Sequence, residues 1–360
     1  MKDFETTSVG ELADIYSMLP EELTALLVSL NEKPFRAKQI FPKLALGTPI
    51  SEMSDLSKAL RQRLEAMTLK TLPTVEHKLV SKIDGTVKYL MRLHDGEVIE
   101  SVFMRYKHGN TICISSQVGC RMGCKFCAST IGGKVRDLLP SELLGQVITA
   151  QADMGERISN IVMMGIGEPL DNFDNVVKFL RLVNHPDGLN IGYRHISLST
   201  CGVVPGIRRL GELEFPITLS ISLHASNDLK RSAIMPVNNA WKISELLGAC
   251  VDYYKHTGRR ISFEYTLISG KNDTDADADE LAGLLTAAFR GTGAPIHVNL
   301  IRVNEVRETG FRAGTVDSAN RFAERLNRQG CVATVRRRLG SDVNAACGQL
   351  RRSSAAEKDK

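Results

Sequence analysis

The sequence predicts an α/β fold: an open, partial (β/α)6 barrel behind a small N-terminal helical domain and a β-ribbon linker. Three observations lead there. From residue 110 onward, candidate strands alternate with candidate helices. Those strands alternate apolar with small polar residues instead of running apolar throughout. Three cysteines crowd a glycine-bearing loop just past the first strand.

Residues 1–72 make the helical unit. Periodic apolar positions run from Leu12 to Leu30, and Pro20 with Glu21 and Glu22 suits a helix start. Further helices fit Arg36 to Leu46 and Ser54 to Leu69. Residues 73–109 form the ribbon. Val87, Tyr89, Met91 and Leu93 alternate with Lys88, Leu90, Arg92 and His94, and a β-branched stretch runs from Val98 to Met104. Asp84-Gly85 and Asp95-Gly96 are hairpin signals.

The barrel spans 110–352. Its candidate strands are 111–116, 159–164, 194–199, 217–223, 260–267 and 295–301. Its candidate helices are 140–154, 173–184, 205–213, 241–256, 276–290 and 315–328. Such repetition implies a parallel sheet with right-handed crossovers. Residues 353–360 are expected to be a disordered, solvated tail.

Parallel strands covered on both faces read as continuous apolar runs. Here Ile217, Leu219, Ile221 and Leu223 share one face, and Thr218, Ser220, Ser222 and His224 the other. Ile196 and Leu198 oppose His195, Ser197 and Ser199. Ile261, Phe263 and Tyr265 oppose Ser262, Glu264 and Thr266. Ile296, Val298 and Leu300 oppose His297 and Asn299. Ile112 and Ile114 oppose Thr111, Cys113 and Ser115, which puts the Cys113 thiol on the polar face. A curled sheet with a polar lumen accounts for this, with ligands at the C-terminal strand ends. An antiparallel sheet with one wet face is the alternative, and the intervening helices argue against it.

The 360 residues are 43% hydrophobic and 24% charged, with 29 Gly and 12 Pro, values that argue against disorder and fibrous repeats. The run from Leu23 to Leu30 is broken by Thr24 and Ser29, far short of the ~20 residues a bilayer needs. Asp3, Glu5 and Glu11 do not suit a secretory signal, so a reducing compartment without disulfide framework is expected for the eight cysteines. The net charge of +5 is compatible with RNA and equally with a solvated mixed-charge surface. Arg336, Arg337, Arg338, Arg351 and Arg352 crowd the C-terminal end.

Cys120-Arg-Met-Gly-Cys124-Lys-Phe-Cys127 places three thiols within eight residues, and Gly119 and Gly123 permit a tight wrap. Structural zinc takes four ligands, and no fourth Cys or His follows at finger spacing. Three thiolates suit three corners of a [4Fe–4S] cube, leaving one iron open to chelate S-adenosylmethionine (SAM). The spacing C-x3-C-x2-C after the first strand of a βα barrel, with Phe126 before the last cysteine, resembles the radical SAM superfamily.

Later strand ends add to the site. The second ends in Gly165-Ile166-Gly167-Glu168-Pro169, whose glycines admit close backbone approach and whose Glu168 suits a SAM ammonium. The third ends in Ser199-Thr200-Cys201-Gly202, the fourth in Ser222-Leu223-His224, and the sixth leads to Asn304. The candidate cofactor-binding residues are Gly167, Glu168, Ser199, Ser222, Leu223, His224 and Asn304. Asp273, Asp275, Asp277 and Asp279 mimic a calcium loop, but Ala278 and Leu284 occupy its Gly and Glu positions. They read as acidic residues at a helix N-terminus.

A closer resemblance rests on further stretches. Ile114-Ser-Ser-Gln-Val-Gly-Cys120, Cys127-Ala-Ser-Thr, Gly165-Ile-Gly-Glu-Pro, Leu198-Ser-Thr-Cys-Gly-Val-Val-Pro and Asn344-Ala-Ala-Cys347-Gly-Gln-Leu are similar to the RlmN family. The likeness extends to Phe35-Arg36-Ala37-Lys38-Gln39. It implies a dual-specificity methyltransferase forming 2-methyladenosine in 23S rRNA, in the peptidyl-transferase region, and in tRNA, at the adenosine 3′ of the anticodon. Adenine C2 is electron-poor and does not attack the SAM methyl directly, so a radical route is needed.

The resemblance implies two SAM molecules per turnover: one methylates Cys347, and the other yields a 5′-deoxyadenosyl radical that activates that methyl for addition to C2. It implies Cys120, Cys124 and Cys127 as cluster ligands, Cys113 as the resolving thiol that forms a transient disulfide with Cys347, and Glu100 as proton acceptor. It also implies a cytoplasmic monomer, served by flavodoxin or ferredoxin, whose helical domain grips RNA while the target base is flipped out. The arginines near Cys347 are candidates for phosphate contacts. Cys201, Cys250 and Cys331 read as structural fillers. The rival readings are a Cfr-like adenine C8 methyltransferase and a non-catalytic zinc RNA-binding module. The stretch Cys127-Ala-Ser-Thr favours C2 over C8. The zinc module leaves Cys113, Cys347 and the Gly-Glu-Pro turn unexplained.

Overall fold

The structure, a computed structural model, describes residues 12–306 and 308–350. The acidic N-terminal residues Asp3, Glu5 and Glu11, the arginines Arg351 and Arg352, and the expected 353–360 tail lie outside the described residues.

Three helices open the chain: α1 (Pro20–Ser29), α2 (Arg36–Ala45) and α3 (Lys58–Met67). Pro20 supplies the first turn of α1, and the Ser57 hydroxyl caps α3 by accepting from Leu60 N. The unit docks on the rest of the chain through Ser141, whose N–H donates to Ser17 Oγ at 2.9 Å and whose hydroxyl donates to Asp14 at 2.7 Å.

Three antiparallel strands follow: β1 (Thr74–Val80), β2 (Val87–Arg92) and β3 (Val98–Tyr106). Gly85 and Gly96 turn the two hairpins at φ of 71° and 89°. Then come β4 (Gly109–Cys113), a hairpin of β5 (Gln117–Gly119) and β6 (Lys134–Asp137), and α4 (Pro140–Met154). The β/α alternation continues with β7 (Ile158–Met163), α5 (Phe173–Asn184), β8 (Ile196–Thr200), α6 (Val204–Glu212) and β9 (Thr218–Ser222). It closes with α7 (Asp228–Ile234), α8 (Ile243–Thr257), β10 (Ile261–Leu267), α9 (Asp275–Ala288), β11 (His297–Arg302), α10 (Val316–Arg328) and β12 (Val332–Val335).

Ten strands form one open sheet in the order β1-β2-β3-β4-β7-β8-β9-β10-β11-β12, parallel from β4 onward. The ribbon therefore does more than link. β3 pairs antiparallel with β4, Val102 opposite Cys113, and extends the barrel's own sheet. A seventh parallel strand, β12, is present in addition to the six expected, and β1, β5, β6 and α7 are further additions. β1 (Thr-Val-Glu-His-Lys-Leu-Val) has only exposed or half-buried residues, so no apolar period marks it. Residues 194–195 precede β8 as part of a 3-10 turn over Tyr193–His195.

Ile112, Ile196, Leu198, Leu219, Ile221, Phe263, Val298 and Leu300 are buried against the helices. The opposite face holds rows in register: Ser199 beside Ser220, Ser262 and His297, then Ser222 beside Glu264, Asn299 and Thr334. This is the polar lumen.

The acidic run Asp275–Asp279 opens α9. Thr274 caps it by accepting from Asp277 N at 3.2 Å, and Asp277 answers by accepting from Thr274 N at 3.1 Å.

The β5–β6 hairpin frames the cysteine loop. Gly119 holds φ +78°, and a Cβ there would stand 1.8 Å from the Gly133 carbonyl oxygen. Gly119→Ala is expected to spread this hairpin and cost roughly 2–3 kcal/mol. A lower urea midpoint, with the m-value unchanged, is the measurement that checks it.

Candidate active site

The three cysteines wrap on the loop between β5 and β6, where β4's extension leaves the sheet. Cys127 N donates to Cys124 O at 3.0 Å and Lys125 N to Ile234 O at 2.9 Å, so α7 braces the loop. Asp171, just past the Gly-Glu-Pro turn, ties the loop to the end of β7. It accepts from Gln117 Nε2 at 2.8 Å, from Arg121 Nε at 3.1 Å and from Lys134 Nζ at 2.9 Å.

Around this loop opens a cleft enclosing about 950 Å³. Cys120, Cys124, Cys127, Gly167, Glu168, Ser199, Ser222, His224, Asn304 and Cys347 all line it. Leu223 does not. It is fully buried, with its neighbours Leu219 and Ile221, on the helix-facing side. Side-chain alternation along the strand decides this, whereas proximity to the strand end suggested otherwise.

Two glycines of the turn serve the protein's own backbone. A Cβ on Gly165 would meet Ile114 O at 2.7 Å, and one on Gly167, at φ +104°, would meet Gln117 N at 2.8 Å. Glu168 is buried and already held: its Oε1 accepts from Leu170 N at 3.0 Å and its Oε2 from Cys201 N at 2.7 Å. Burial pushes its carboxyl up from the usual range, and these N–H donors pull it back. The Thr200 hydroxyl and the Cys201 side chain also reach this carboxyl, so its partners are supplied largely from within the protein.

His224 sits in the left-handed region at φ +56°, a strained conformation for a bulky residue. Its Nδ1 accepts from Thr266 N at 2.9 Å, which puts the proton of the neutral ring on Nε2. Burial, then the Arg231 charge, lowers it from 6.5 to about 3. The Phe126 ring packs edge-on against it, centroids 5.0 Å apart.

A second cleft, of about 1240 Å³, adjoins the first and shares Met164, Ile301, Asn304, Arg336 and Cys347 with it. Cys113 and Met104 line it, and the exposed Arg337 and Arg338 stand among its lining residues. Cys347 thus borders both clefts. Asn304 Nδ2 donates to the Cys347 carbonyl at 2.9 Å, while its Oδ1 is buried without a partner. Cys113 and Cys347 are both free thiols. Burial, then the nearby Cys347 sulfur, pushes Cys113 up to about 12, and Arg336 opposes that shift.

Glu100 lines neither cleft. It is buried on β3, paired with Lys88 Nζ at 3.0 Å.

Several residues of the site escaped the sequence reading. Arg231 of α7 is fully buried and donates to Cys201 O at 2.6 Å, Leu223 O at 3.1 Å and Asn238 Oδ1 at 3.0 Å, knitting β8 and β9 together. Cys201, read as a filler, lines the cluster cleft, whereas Cys250 and Cys331 are core fillers as expected. Arg336, grouped with the phosphate-binding candidates, turns inward and donates to Met164 Sδ at 3.6 Å. Its backbone N–H bonds Leu300 O at 2.8 Å, continuing the β12 ladder, so the alternation Val332-Ala-Thr-Val-Arg336 was the available signal. Glu264 and Thr266 were visible on the polar face of β10, and both line the cleft.

The donor set fits a cluster. Three thiols line one cleft with the buried Glu168, and Asn304 Oδ1 awaits a donor. Among the described residues no three His, Cys, Asp or Glu groups converge closely enough for a single ion. Burial raises all three thiols, Cys120 to about 12, so iron binding displaces their protons.

This fold and thiol set define the radical SAM class, and residues 114–282 match the radical SAM superfamily. Residues 13–69 match the ribosomal RNA large subunit methyltransferase N-terminal domain. A probable dual-specificity RNA methyltransferase RlmN from Lachnoclostridium phytofermentans is 51% identical over 352 residues, 96% of each chain. Its counterpart from Clostridium perfringens strain 13 is 52% identical over 95% of this chain and 97% of that one. The crystal structure of a radical SAM methyltransferase from Sphaerobacter thermophilus superimposes with TM-score 0.88 at 40% identity, covering 94% of this chain and 98% of that one. The chain belongs to the RlmN family, and membership carries with it a [4Fe–4S] cluster and SAM as cofactors. No helix among the described residues is long and apolar enough to cross a membrane.

The depressed His224 gives a pH signature. Between about pH 6.5 and 3 the unfolded chain binds a proton that the folded chain refuses, so stability falls as pH drops through that window. About 2 kcal/mol should be lost between pH 7.5 and 5 from this group alone. His224→Asn, which tolerates the left-handed backbone, should flatten that part of the urea-midpoint profile.

Proposed function

We propose that this chain is a radical SAM RNA methyltransferase that forms 2-methyladenosine in 23S rRNA, in the peptidyl-transferase region, and in tRNA, 3′ of the anticodon. It works in the cytoplasm as a monomer, with flavodoxin or ferredoxin as electron donor. The observation that carries this reading is the single thiol, Cys347, bordering two clefts at once.

The first cleft is the cofactor side. Cys120, Cys124 and Cys127 would hold the cluster, and Gly167, Glu168, Ser199, Ser222, His224 and Asn304 would hold SAM. Once bound, the cluster supplies the electron that cleaves SAM reductively and so provides a carbon radical for hydrogen abstraction. The second cleft is the substrate side. Arg337 and Arg338 at its rim suit RNA phosphates, and a flipped adenosine would pass them to reach Cys347.

Cys347 accepts a methyl group and carries it to adenine C2. Arg336 lines both clefts together with Cys347. After addition the adduct would return one electron to the bound cluster. Glu100, buried outside both clefts, would receive the C2 proton through an intervening polar group or water, and Cys113 attacks the Cys347 sulfur. A sulfur–sulfur bond forms and the bond from sulfur to the transferred methylene carbon breaks; the electron pair goes to that carbon, which takes a proton from solvent to become the methyl group. Cys113, held high by burial, must shed its proton first.

Mass spectrometry of nucleosides from a deletion strain tests the proposal. Loss of 2-methyladenosine from both rRNA and tRNA is the expected result, and 8-methyladenosine in the parent would favour the Cfr-like chemistry. A colourless protein without iron or sulfide after anaerobic reconstitution would sink the radical reading. Cys113→Ala is expected to accumulate a covalent protein–RNA adduct, visible as a shifted band on a denaturing gel. Glu100→Gln should slow turnover roughly 10²–10⁴-fold, the usual contribution of a positioned proton acceptor.

A further inference from the structure

A cysteine that serves two clefts must ride on a segment whose position is controlled. The Cys347 segment is held at both ends. On its far side, Ala128 N donates to Gly348 O at 2.8 Å and Ser129 Oγ to Leu350 O at 2.7 Å, which ties it to the cluster loop.

On its near side the partner is the β1–β2 turn, some 260 residues earlier in the chain. Gly340 N donates to Asp84 Oδ2 at 2.9 Å, and Lys82 N donates to Asp342 Oδ2 at 2.9 Å. Gly340 lies at φ +60° and packs so closely that a Cβ would meet Thr86 Cγ2 at 2.9 Å and Ala345 Cβ at 2.7 Å. Behind the turn, Lys88 Nζ donates to the Asn344 carbonyl at 3.2 Å, three residues before the thiol. The same ammonium pairs with Glu100 at 3.0 Å, and the two side chains are 7% and 1% exposed. A buried lysine survives only when its charge is met, and an ammonium has three donors to share. Here they bridge a carboxylate and the reactive segment.

We propose that the β1–β2 turn is the seat of the Cys347 segment, and that Lys88 is a positioning residue setting the thiol and the Glu100 carboxylate together. The catalytic half of this rests on the roles given above to Cys347 and Glu100. The seat itself does not. Asp84 holds the segment through Gly340 N and its own turn through Thr86 N at 3.0 Å, on the Cys347 side of the seat, so its loss should disturb the thiol and leave the Lys88–Glu100 pair in place. Lys88 holds both, so its loss should disturb both.

The test compares reconstituted holoenzyme carrying Asp84→Asn, Lys88→Met or Lys88→Arg with the parent. Three quantities are read: hydrogen exchange of residues 340–350, methyl occupancy of Cys347 by mass spectrometry, and the rate of RNA-adduct release. Asp84→Asn should speed exchange of 340–350 about tenfold, the loss expected for one hydrogen bond to a charged group, and slow Cys347 methylation while adduct release is kept. Lys88→Met should do the same and also slow adduct release, and Lys88→Arg should restore part of both.

Unchanged exchange in 340–350 for both Asp84→Asn and Lys88→Met overturns the seat, as does a rise spread evenly over the whole barrel. Adduct release that Lys88→Met leaves untouched overturns the coupling. Glu100→Gln and Cys347→Ala run in parallel: normal RNA methylation by either would refute the catalytic roles, while the exchange data still judge the seat. If Lys88→Met does not fold, Asp84→Asn carries the exchange measurement, because its side chain lies at a surface turn.

Discussion

A polar face curled inward, with apolar helices packed only outside it, is the constraint on which this molecule depends. Strand side chains alternate, so burying Leu198, Leu219, Phe263 and Val298 under helices turns Ser199, Ser220, Ser262 and Glu264 toward the lumen. Hydroxyls and carboxylates so enclosed need partners, and they find them across the sheet. Ser197 meets Ser220 at 3.1 Å, Asn299 donates to Glu264 at 2.8 Å, and Ser262 meets His297 at 3.0 Å. Because β4 and β7 to β12 run parallel, their C-terminal ends open at one mouth, and residues from Cys120 to Cys347 share one cleft.

Charge inside this structure is tolerated because it is matched. Arg231 is fully buried yet spends its donors on carbonyls at the ends of β8 and β9 and on Asn238. Glu168 is met by two backbone N–H groups, Glu264 by Ser262 and Asn299, and Glu100 by Lys88. Each charge-assisted bond is worth about 1.5–3 kcal/mol, comparable with the penalty of stranding either partner. The outcome is a rigid rim. The one segment that crosses it, around Cys347, is pinned from outside by the ribbon and from inside by the cluster loop.

Legibility followed the strength of local signals. Helices α4 and α5 have the bounds their patterns implied, for Pro140 and a left-handed Gly155 bracket the first and a clean apolar stripe runs through the second. β5, only three residues long, carries too few positions to show a period, and α7 is a seven-residue helix capped by Asn227. The cysteine trio and the Gly-Glu-Pro turn were legible as motifs. Leu223 was placed with them for lying beside His224, although its own alternation already assigned it to the core. Asp171, Arg231 and Arg336 owe their importance to partners 30 to 172 residues distant, which no short window of sequence contains.

Periodicity and spacing along the chain were therefore enough for the layers, the alternation of the six longer strands with their helices, and the chemistry of three thiols on a loop, because each is written within a few consecutive residues. Closure in three dimensions chose the rest: which edge the ribbon joins, which arginine turns inward, and where the Cys347 segment comes to sit. Those outcomes are settled by the curl of the whole sheet and by the requirement that every buried charge meet a partner. Both are properties of surfaces brought together from distant parts of the chain.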